Sequence, residues 1–505
     1  MRSKAENKIS LNFISVSAAT FISKVLGFLR DAFLGASLGT TKAADIFMQI
    51  FGIPGLFFAG IGVAISSVNI PNLIQYIKNG DKEERNRYVS ALMINVTLIT
   101  AVLCILIIIV SPILTGLVLP GIDESMQGIA VALMRIMAPT LVFICLTYVT
   151  TGILQVHNHF LLPSMISIPF NILIIASLAV WNGNILFLGL ITTIAWALQF
   201  LIQLPVLWTE RYTLKFDTGF GNSHIINIYK QLVPILLGNS VLQLCTFTDR
   251  IFSSYLGEGA TSALSYGSNL FTMVSGIFLV AMSTVVFPEL SRLCAEKNNE
   301  KIAGLINYAF KILCFIFIPY LIIVAFYHRD IVRLVYERGV FNAESTAMSS
   351  TAFLFYSFCV VGYAFQEIFN RMFYAMGKYR TPMVLGIAFA LVNAVFNLLF
   401  WKKGIAVIAG TTAIVFLIYA FAVVILVKRE IGKLFDKSFA AFMMKMIVPV
   451  LLMTAAFMAF RAINKQGANI FTGGYGFIIP ILIGGVLYIV SSWALGAVRR
   501  QGRQG

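Results

Sequence analysis

Three charged residues interrupt the first apolar segment of the chain, which begins near residue 9 and ends near residue 35. They are Lys24, Arg30 and Asp31, within the stretch SKVLGFLRDA at 23–32. Lys24 and Asp31 are about two helical turns apart and so share nearly one helix face, whereas Arg30 lies about 100° around the helix. A charge at the centre of a bilayer costs about 2.5–3.5 kcal/mol on insertion scales, so ionisable residues there face a bundle interior or a water-filled space. One side of this helix is therefore predicted to be polar.

Two interpretations of these charges stay open from the sequence. In the structural one, Lys24 or Arg30 forms a salt bridge with Asp31 or with Asp45, which lies at the start of the second apolar segment, and Arg30 extends to the outer interface. In the functional one, the cations attract a phosphate-bearing or carboxylate-bearing substrate, which replaces those internal partners. We adopt the second as the working prediction, with Lys24, Arg30, Asp31 and Asp45 as substrate-binding residues.

A second group of polar residues offers oxygen ligands from three later apolar segments. It consists of Asp249, Asn393, Asn397 and Thr412. Hard cations such as sodium prefer oxygen ligands to sulfur or nitrogen ligands. We predict cation coupling here, with a sodium gradient or the membrane potential as the energy source. The alternative is that the Asn and Thr side chains only form hydrogen bonds between helices.

Glu367 and Arg371 lie in the tenth apolar segment and are spaced i, i+4 with the acid first. This order is the better one for an ion pair along a helix. We therefore predict a structural ion pair and not a binding site.

Sequence motifs for catalysis are missing. HNH at 157–159 is interpreted as a short cytoplasmic turn without acidic partners, and no phosphate loop, dinucleotide fingerprint or zinc motif occurs. The prediction is that the protein is not an enzyme, has no firm metal site and needs no organic cofactor.

The elements that must position these residues follow from composition. The chain has 505 residues, of which 59% are hydrophobic and 11% charged, whereas soluble proteins are roughly 45–50% apolar and 25% charged. Its apolar runs are repeatedly about 20 residues long, enough to cross a bilayer as helices. We predict an all-α polytopic membrane protein with about fourteen spans, at approximately 9–35, 44–77, 88–118, 127–154, 160–181, 184–208, 227–256, 262–290, 303–327, 347–377, 382–400, 404–427, 439–461 and 472–497.

The net charge of +16 could suggest a nucleic-acid partner, but the basic residues follow membrane topology. With fourteen spans and a cytoplasmic N-terminus, most of them fall on the cytoplasmic side, as the positive-inside rule requires. We therefore predict that both termini are cytoplasmic, that the partner is the lipid bilayer and that no nucleic acid is bound.

The longest segment between spans lies near the middle of the chain and suggests two bundles. We predict an N-terminal six-helix lobe at 1–208, a cytoplasmic linker at 209–226, a C-terminal six-helix lobe at 227–428, and two appended helices with a basic tail at 429–505. A weak sequence similarity between RDAFLGASLG at 30–39 and DRIFSSYLGEG at 249–259 supports two lobes in the same orientation, as in transporters with parallel repeats.

Four stretches together resemble the MurJ/MviN lipid II flippases of the MOP superfamily. They are SKVLGFLRDAFLG, AADIF, YERGVFNAEST and RMFYAMGKYRTP, and the similarity runs through essentially the whole chain. The resemblance implies fourteen helices, two six-helix lobes around a cationic cavity, and alternating access that carries an undecaprenyl-diphosphate-linked precursor outward for peptidoglycan synthesis. It also implies a bacterial plasma membrane.

The charged family positions carry over only in part. Arg30, Asp31 and Asp45 match them, while Lys24 stands where an arginine is usual. The stretch at 53–71 lacks the arginine pair and glutamate that members usually carry, and Ser268 and Asn269 stand where an acid–arginine pair is common. The two appended helices correspond to a groove thought to hold the lipid tail.

These observations together predict a flippase for lipid II. The alternatives are a related flippase for another lipid-linked oligosaccharide and a MATE-like exporter of drugs or small cations. A scaffold for cell-envelope enzymes that transports nothing is a further one. Cell-wall synthesis enzymes are predicted as additional partners.

Overall fold

A computed structural model shows the fold of the chain. It describes residues 2–78, 81–181, 183–213, 234–432, 434–465 and 476–497, and its regular elements in these ranges are all helical. The side chains of residues 2–14, 17, 55–72, 280, 284, 464 and 465 lie outside the description. Much of the predicted linker, at 214–226, and the basic tail, at 498–505, also lie outside the described residues.

The helices are numbered α1 to α19 in chain order. Their bounds are Arg2–Leu38, Lys42–Lys78, Lys82–Val118, Glu124–Met137, Thr140–Val156, Leu161–Met165, Ser167–Ala179, Ile185–Leu201, Leu204–Thr209, residues 234–239, Val241–Ser253, Ala260–Ala295, Asn299–Tyr336, Ala343–Ser357, Cys359–Ala375, Arg380–Phe400, Ile405–Ile431, Lys437–Lys465 and Ile478–Ala494.

Within the described residues, nine helical segments are long and apolar enough to cross a membrane, or ten if α14 and α15, bent by 45°, form one span. The predicted class, an all-α polytopic membrane protein, is confirmed, and the exact count of fourteen stays a prediction. Several predicted spans are broken helices. The span at 127–154, for example, consists of α4 and α5, which are separated at Ala138 and Pro139, where proline has no N–H to continue the helical bonding.

The end of α1 is fixed by a close backbone contact. Gly39 follows the helix with a positive φ of 56°, which glycine adopts without a Cβ penalty. The Val340 amide donates to the Ala36 carbonyl over 2.8 Å. A Cβ on Gly339 would stand 2.3 Å from the same carbonyl oxygen, so only glycine fits there. The segment at 338–342 thus holds the helix that carries Arg30.

The helices group into two compact units. The first unit comprises Met1–Ser265, Arg338–Asn342 and Tyr379–Gly404. In it α1 packs on α6 and α7, α2 packs on α5, and α11 packs on both α2 and α16. The predicted lobe boundaries at 208 and 227 stay a prediction.

The second unit comprises Tyr266–Glu337, Ala343–Lys378 and Ile405–Gly505. Here α17 packs on α14 and α15, while α18 and α19 pack on each other and on α13. An apolar cluster joins these last three helices; its buried members are Tyr327, Phe442, Met446, Met453, Phe457 and Tyr488. A Cβ on Gly484 would lie 2.4 Å from the Phe457 ring, so this glycine allows α18 and α19 to approach closely.

Candidate functional site

Arg30 forms the centre of the charged site on α1. Its Nε and Nη2 donate to Asp31 Oδ1 over 3.0 and 2.6 Å, and its Nη1 donates to Asn171 Oδ1 on α7 over 3.2 Å. The Arg30 and Asp31 side chains are 16% and 20% exposed. Of the salt bridges that the structural interpretation allowed, this is the one that forms.

Two aromatic rings flank the same guanidinium. The Cζ atom of Arg30 lies 5.8 Å from the centre of the Phe51 ring and 5.6 Å from that of Phe170, within cation–π distance. Arginine carries five N–H donors, and three of them are used by Asp31 and Asn171. Two donors are thus left without an acceptor among the described residues.

Asn171 is a site residue that sequence reasoning missed. It is 2% exposed, and its Nδ2 donates to the Ser23 carbonyl over 3.4 Å while its Oδ1 accepts from Arg30. The available signal was one amide in an otherwise apolar run, SIPFNILIIASLA. A neutral amide is tolerated in apolar helices far more readily than a charge, so this signal was weak.

Lys24 lies on the same helix and is exposed. It forms no ion pair with the side chains that the structure describes. Of the pairs that the structural interpretation offered, Arg30–Asp31 is therefore present and Lys24–Asp31 is not. The ammonium group is left as a cation that a ligand can approach.

Asp45 accepts hydrogen bonds from backbone amides in this structure, and its predicted substrate binding stays a prediction. Its Oδ2 accepts from the Gly259 amide and its Oδ1 from the Ser262 amide, each over 2.7 Å. The Ser262 amide lies in the first turn of α12 and the Gly259 amide just before it, where backbone N–H groups lack helical acceptors and the helix dipole favours an anion. Asp45 is therefore not the partner of the α1 cations in this structure, because its carboxylate ties the start of α2 to the start of α12.

Removing this carboxylate is expected to release the first turn of α12. Hydrogen bonds to a charged acceptor contribute about 1.5–3 kcal/mol each, so Asp45→Ala should lower the local stability by at least that much. Hydrogen exchange at residues 259–262 should then accelerate by at least about tenfold. Asp123→Ala is the control: it removes only the exposed Lys42–Asp123 ion pair nearby and should change exchange little. Unchanged protection in Asp45→Ala would contradict the capping function.

The predicted cation ligands come together in part. Asp249 on α11 and Asn393 and Asn397 on α16 are all 0% exposed. Asn397 and Asn393 donate to Asp249 Oδ1 over 2.5 and 3.3 Å, and Asn397 also donates to Asn393 Oδ1 over 3.2 Å. Thr412 is buried on α17 in the second unit. The first three residues form a buried, oxygen-rich cluster with one carboxylate.

Arg250 follows Asp249 and links α11 to α2. Its Nη1 donates to the Met48 carbonyl over 3.3 Å and to Ser265 Oγ over 3.4 Å. A Cβ on Gly52 would lie 2.6 Å from Arg250 Nη2. The missing side chain of Gly52 therefore provides the space in which this guanidinium packs against α2.

Glu367 and Arg371 form an ion pair with an N···O distance of 2.8 Å on α15. Ser283 on α12 donates to Glu367 over 3.1 Å, and Arg371 lies 5.6 Å from the Phe287 ring centre. The pair therefore also joins α15 to α12 within the second unit.

The HNH turn has an acidic partner, contrary to its interpretation from the sequence. Glu210, just after α9, is 2.7 Å from His159 Nε2 and 3.2 Å from His157 Nδ1. The other nitrogen of His157 is 2.7 Å from the Tyr212 hydroxyl, and the Tyr212 ring lies 4.2 Å from Arg85 Cζ on α3. This cluster holds the chain at 210–213 against the first unit.

The cluster is expected to loosen in acid. Burial lowers the pKa of His157. The positive charges of Arg85 and His159 lower this pKa further, whereas the negative charge of Glu210 raises it. The hydrogen bond from His159 lowers the pKa of Glu210. A group whose pKa is lowered by folding binds more protons when unfolded, so stability falls as the pH drops. For His157 this loss of stability begins as the pH falls below about 6.5, the usual pKa of a histidine side chain.

Hydrogen-exchange protection of residues 207–213 should therefore be lower at about pH 5.5 than at about pH 7.5 after correction for intrinsic exchange. His157→Gln keeps hydrogen-bonding groups but does not titrate in this range, so its protection should vary less with pH. Equal pH dependence in the variant and the natural chain would show that His157 does not cause the effect.

Long apolar helices that also carry charged and amide-rich clusters define a multi-pass membrane protein. Solved structures agree on this fold. A lipid II flippase MurJ in an inward closed conformation matches with a TM-score of 0.80 and 24% identity over 96% of this chain and 100% of that one. An inward-facing MATE multidrug transporter of the MOP superfamily matches with a TM-score of 0.67 and 17% identity over 83% of this chain and 98% of that one.

The family follows from the sequence comparisons. The family model described as lipid II flippase MurJ matches residues 34–477. A probable lipid II flippase MurJ from Buchnera aphidicola subsp. Baizongia pistaciae is 29% identical over 77% of this chain and 78% of its own. One from Buchnera aphidicola subsp. Schizaphis graminum is 26% identical over 96% of both chains. The chain belongs to the MurJ lipid II flippase family, and the predicted resemblance is confirmed.

Proposed function

We propose that this protein moves lipid II, the undecaprenyl-diphosphate-linked peptidoglycan precursor, outward across the bacterial plasma membrane. The proposal includes a cytoplasmic position for both termini and transport without a covalent step. The observation that carries the proposal is the Arg30 guanidinium: it lies in an apolar helix of a MurJ-family protein, its orientation is fixed, and two of its donors have no described acceptor.

In this proposal Lys24 and Arg30 attract the diphosphate. The two remaining Arg30 donors bind phosphate oxygens, and charge-assisted bonds of this kind contribute about 1.5–3 kcal/mol each. Asp31 holds the guanidinium in one orientation and compensates its charge when no substrate is bound. Lys24 adds a mobile point charge and not a fork of donors.

Alternating access requires the outer side of the protein to open after the substrate has entered. The contact of Asp45 with Gly259 and Ser262 joins the predicted lobes 1–208 and 227–428 at the end that the predicted topology places outside. We infer that this contact breaks in the outward-facing state. Binding energy from the diphosphate would have to favour that state over the closed one.

A cation bound at Asp249, Asn393 and Asn397 is proposed to couple transport to a sodium gradient. The cluster places one buried carboxylate beside two Asn side chains, whose amide nitrogens donate to it here and whose oxygens would bind a hard cation once the amides turn over. The membrane potential alone is the alternative energy source. Enzymes of cell-wall synthesis are the proposed partners, since they would consume the exported precursor.

A flippase for another lipid-linked saccharide is the second candidate, because Lys24 stands where a family arginine is usual and lysine lacks the bidentate geometry that suits a diphosphate. Complementation separates the two. The chain is expressed in bacteria depleted of their own lipid II flippase, membrane insertion is verified, and lipid II exposure at the outer face is followed. Restored exposure is the expected result; normal insertion without exposure would reject lipid II as the substrate.

A further inference from the structure

Asn171 occupies a position between two parts of α1. Its Oδ1 accepts from Arg30 Nη1 over 3.2 Å, and its Nδ2 donates toward the Ser23 carbonyl over 3.4 Å. Ser23, Gly27 and Arg30 lie on one face of α1 because they are spaced by about one helical turn each. A Cβ on Gly27 would be 3.7 Å from Asn171 Nδ2. The amide therefore fits a shallow depression that ends at the guanidinium.

The contacts of Arg30 define its orientation from several sides. Asp31 binds the edge formed by Nε and Nη2, Asn171 binds Nη1, and the Phe51 and Phe170 rings flank the group. Without the bond to Asn171, only the neighbouring Asp31 would fix the guanidinium by hydrogen bonds among the described residues. An arginine side chain has many rotamers in solution, so restricting it before binding favours a ligand that needs one orientation.

The neutral amide suits this function better than a carboxylate would. An amide oxygen accepts from the guanidinium without compensating its charge, so the positive charge stays available to an anion. Asp31 already supplies one negative charge to Arg30. A second carboxylate in this place would make the group a poor site for phosphate.

We propose that Asn171 is a positioning residue for substrate recognition: it aims the two remaining donors of Arg30 at the diphosphate of the lipid. The inference rests on the proposed function, in which Arg30 binds that diphosphate. It adds α7 to the recognition site, to which the sequence assigned only α1 and α2.

The experiment measures binding of undecaprenyl diphosphate and undecaprenyl monophosphate to the purified full-length protein in detergent. Asn171→Leu keeps the approximate size of the side chain and removes its polar atoms. It should weaken diphosphate binding about tenfold, equivalent to about 1.4 kcal/mol, because the released guanidinium must lose rotamer freedom when it binds, and it should weaken monophosphate binding less. Asn171→Asp keeps the acceptor but adds charge, and it should weaken diphosphate binding as well.

A double-mutant cycle with Arg30→Gln separates positioning from general packing. If Asn171 acts through Arg30, Asn171→Leu should have no further effect on diphosphate affinity once Arg30 is replaced. Gln203→Leu is the matched control: Gln203 is a buried amide in the same unit, bonded to Thr151 and to the Gln199 carbonyl. It should lower thermal stability and leave the affinity unchanged.

Three results would overturn the inference. Asn171→Leu binding as tightly as the natural chain, while Arg30→Gln binds weakly, would reject Asn171 and leave the proposed site intact. Equal losses from Asn171→Leu in both backgrounds would show a packing effect only. Natural affinity in Arg30→Gln would reject the diphosphate site itself, and the positioning function with it.

Discussion

Neutralising Lys24 and Arg30 together, as Lys24→Gln and Arg30→Gln, is expected to abolish lipid II transport in a protein that still inserts into the membrane. The double change removes both cations that the proposed site presents on α1. It also leaves Asp31 without its ion-pair partner, so the site would repel a diphosphate. Losing two charge-assisted contacts of about 1.5–3 kcal/mol each reduces affinity by at least about a hundredfold.

The measurement is lipid II exposure at the outer face of cells that depend on this protein. Lys445→Gln serves as the control because Lys445 is an exposed cation on the apolar helix α18, and its neutralisation should leave exposure intact. Intact transport in the double variant, with normal insertion, would refute the site. Defective insertion in the double variant alone would instead favour the structural interpretation of the α1 charges.

Single replacements distinguish a forked donor from a point charge. Arg30→Lys keeps the charge but has three N–H donors in place of five, so none is left for a phosphate if the two bonds to Asp31 and the one to Asn171 are kept. It should retain only a small part of the transport rate. Lys24→Arg introduces a second fork and is expected to maintain or increase the rate.

Sequence patterns predicted the fold class and the charged helix because transferring long apolar runs into water, or a charge into a bilayer, has a large free-energy cost. Long apolar runs exclude a soluble fold, and a charge within such a run needs a compensating partner. Arg30 and Asp31 are neighbours, so their pairing was accessible from the sequence. The family was also accessible, because four stretches along the chain carry the resemblance, and the family model matches residues 34–477.

The remaining partners depend on contacts across large sequence separations. Asn171 is 141 residues from Arg30, and Ser262 is 217 residues from Asp45. A salt bridge from the α1 cations to Asp45 was one option of the structural interpretation because opposite charges attract, yet backbone amides at the start of α12 bind its carboxylate instead. Backbone amides are present at every helix N-terminus whatever its residues are. Composition and charge therefore do not show which of these amides will bind a distant carboxylate.

Asp249→Asn is expected to remove the sodium dependence of transport and to reduce its rate at least about tenfold, without destabilising the protein. The carboxylate is the one charged ligand among the three clustered residues, and an amide of equal size binds a hard cation more weakly. Asp249 is fully buried, and neutral groups are cheaper to bury than charged ones. Thermal stability in the absence of sodium should therefore stay constant or rise while transport falls.

Opposite changes in thermal stability and in transport would distinguish cation coupling from a purely structural contact between helices. If Asp249, Asn393 and Asn397 only join α11 to α16 by hydrogen bonds, Asp249→Asn should leave the sodium dependence as it is. Transport is compared in proteoliposomes with an inward sodium gradient and with potassium in its place.

Asn397→Asp is the matched gain-of-charge variant: a second carboxylate at the same cluster should tighten sodium binding, and sodium should then raise its thermal stability more than that of the natural chain. Sodium-independent stability in both the natural chain and Asn397→Asp would leave the membrane potential as the energy source, because a cation that does not bind cannot shift the equilibrium between two states.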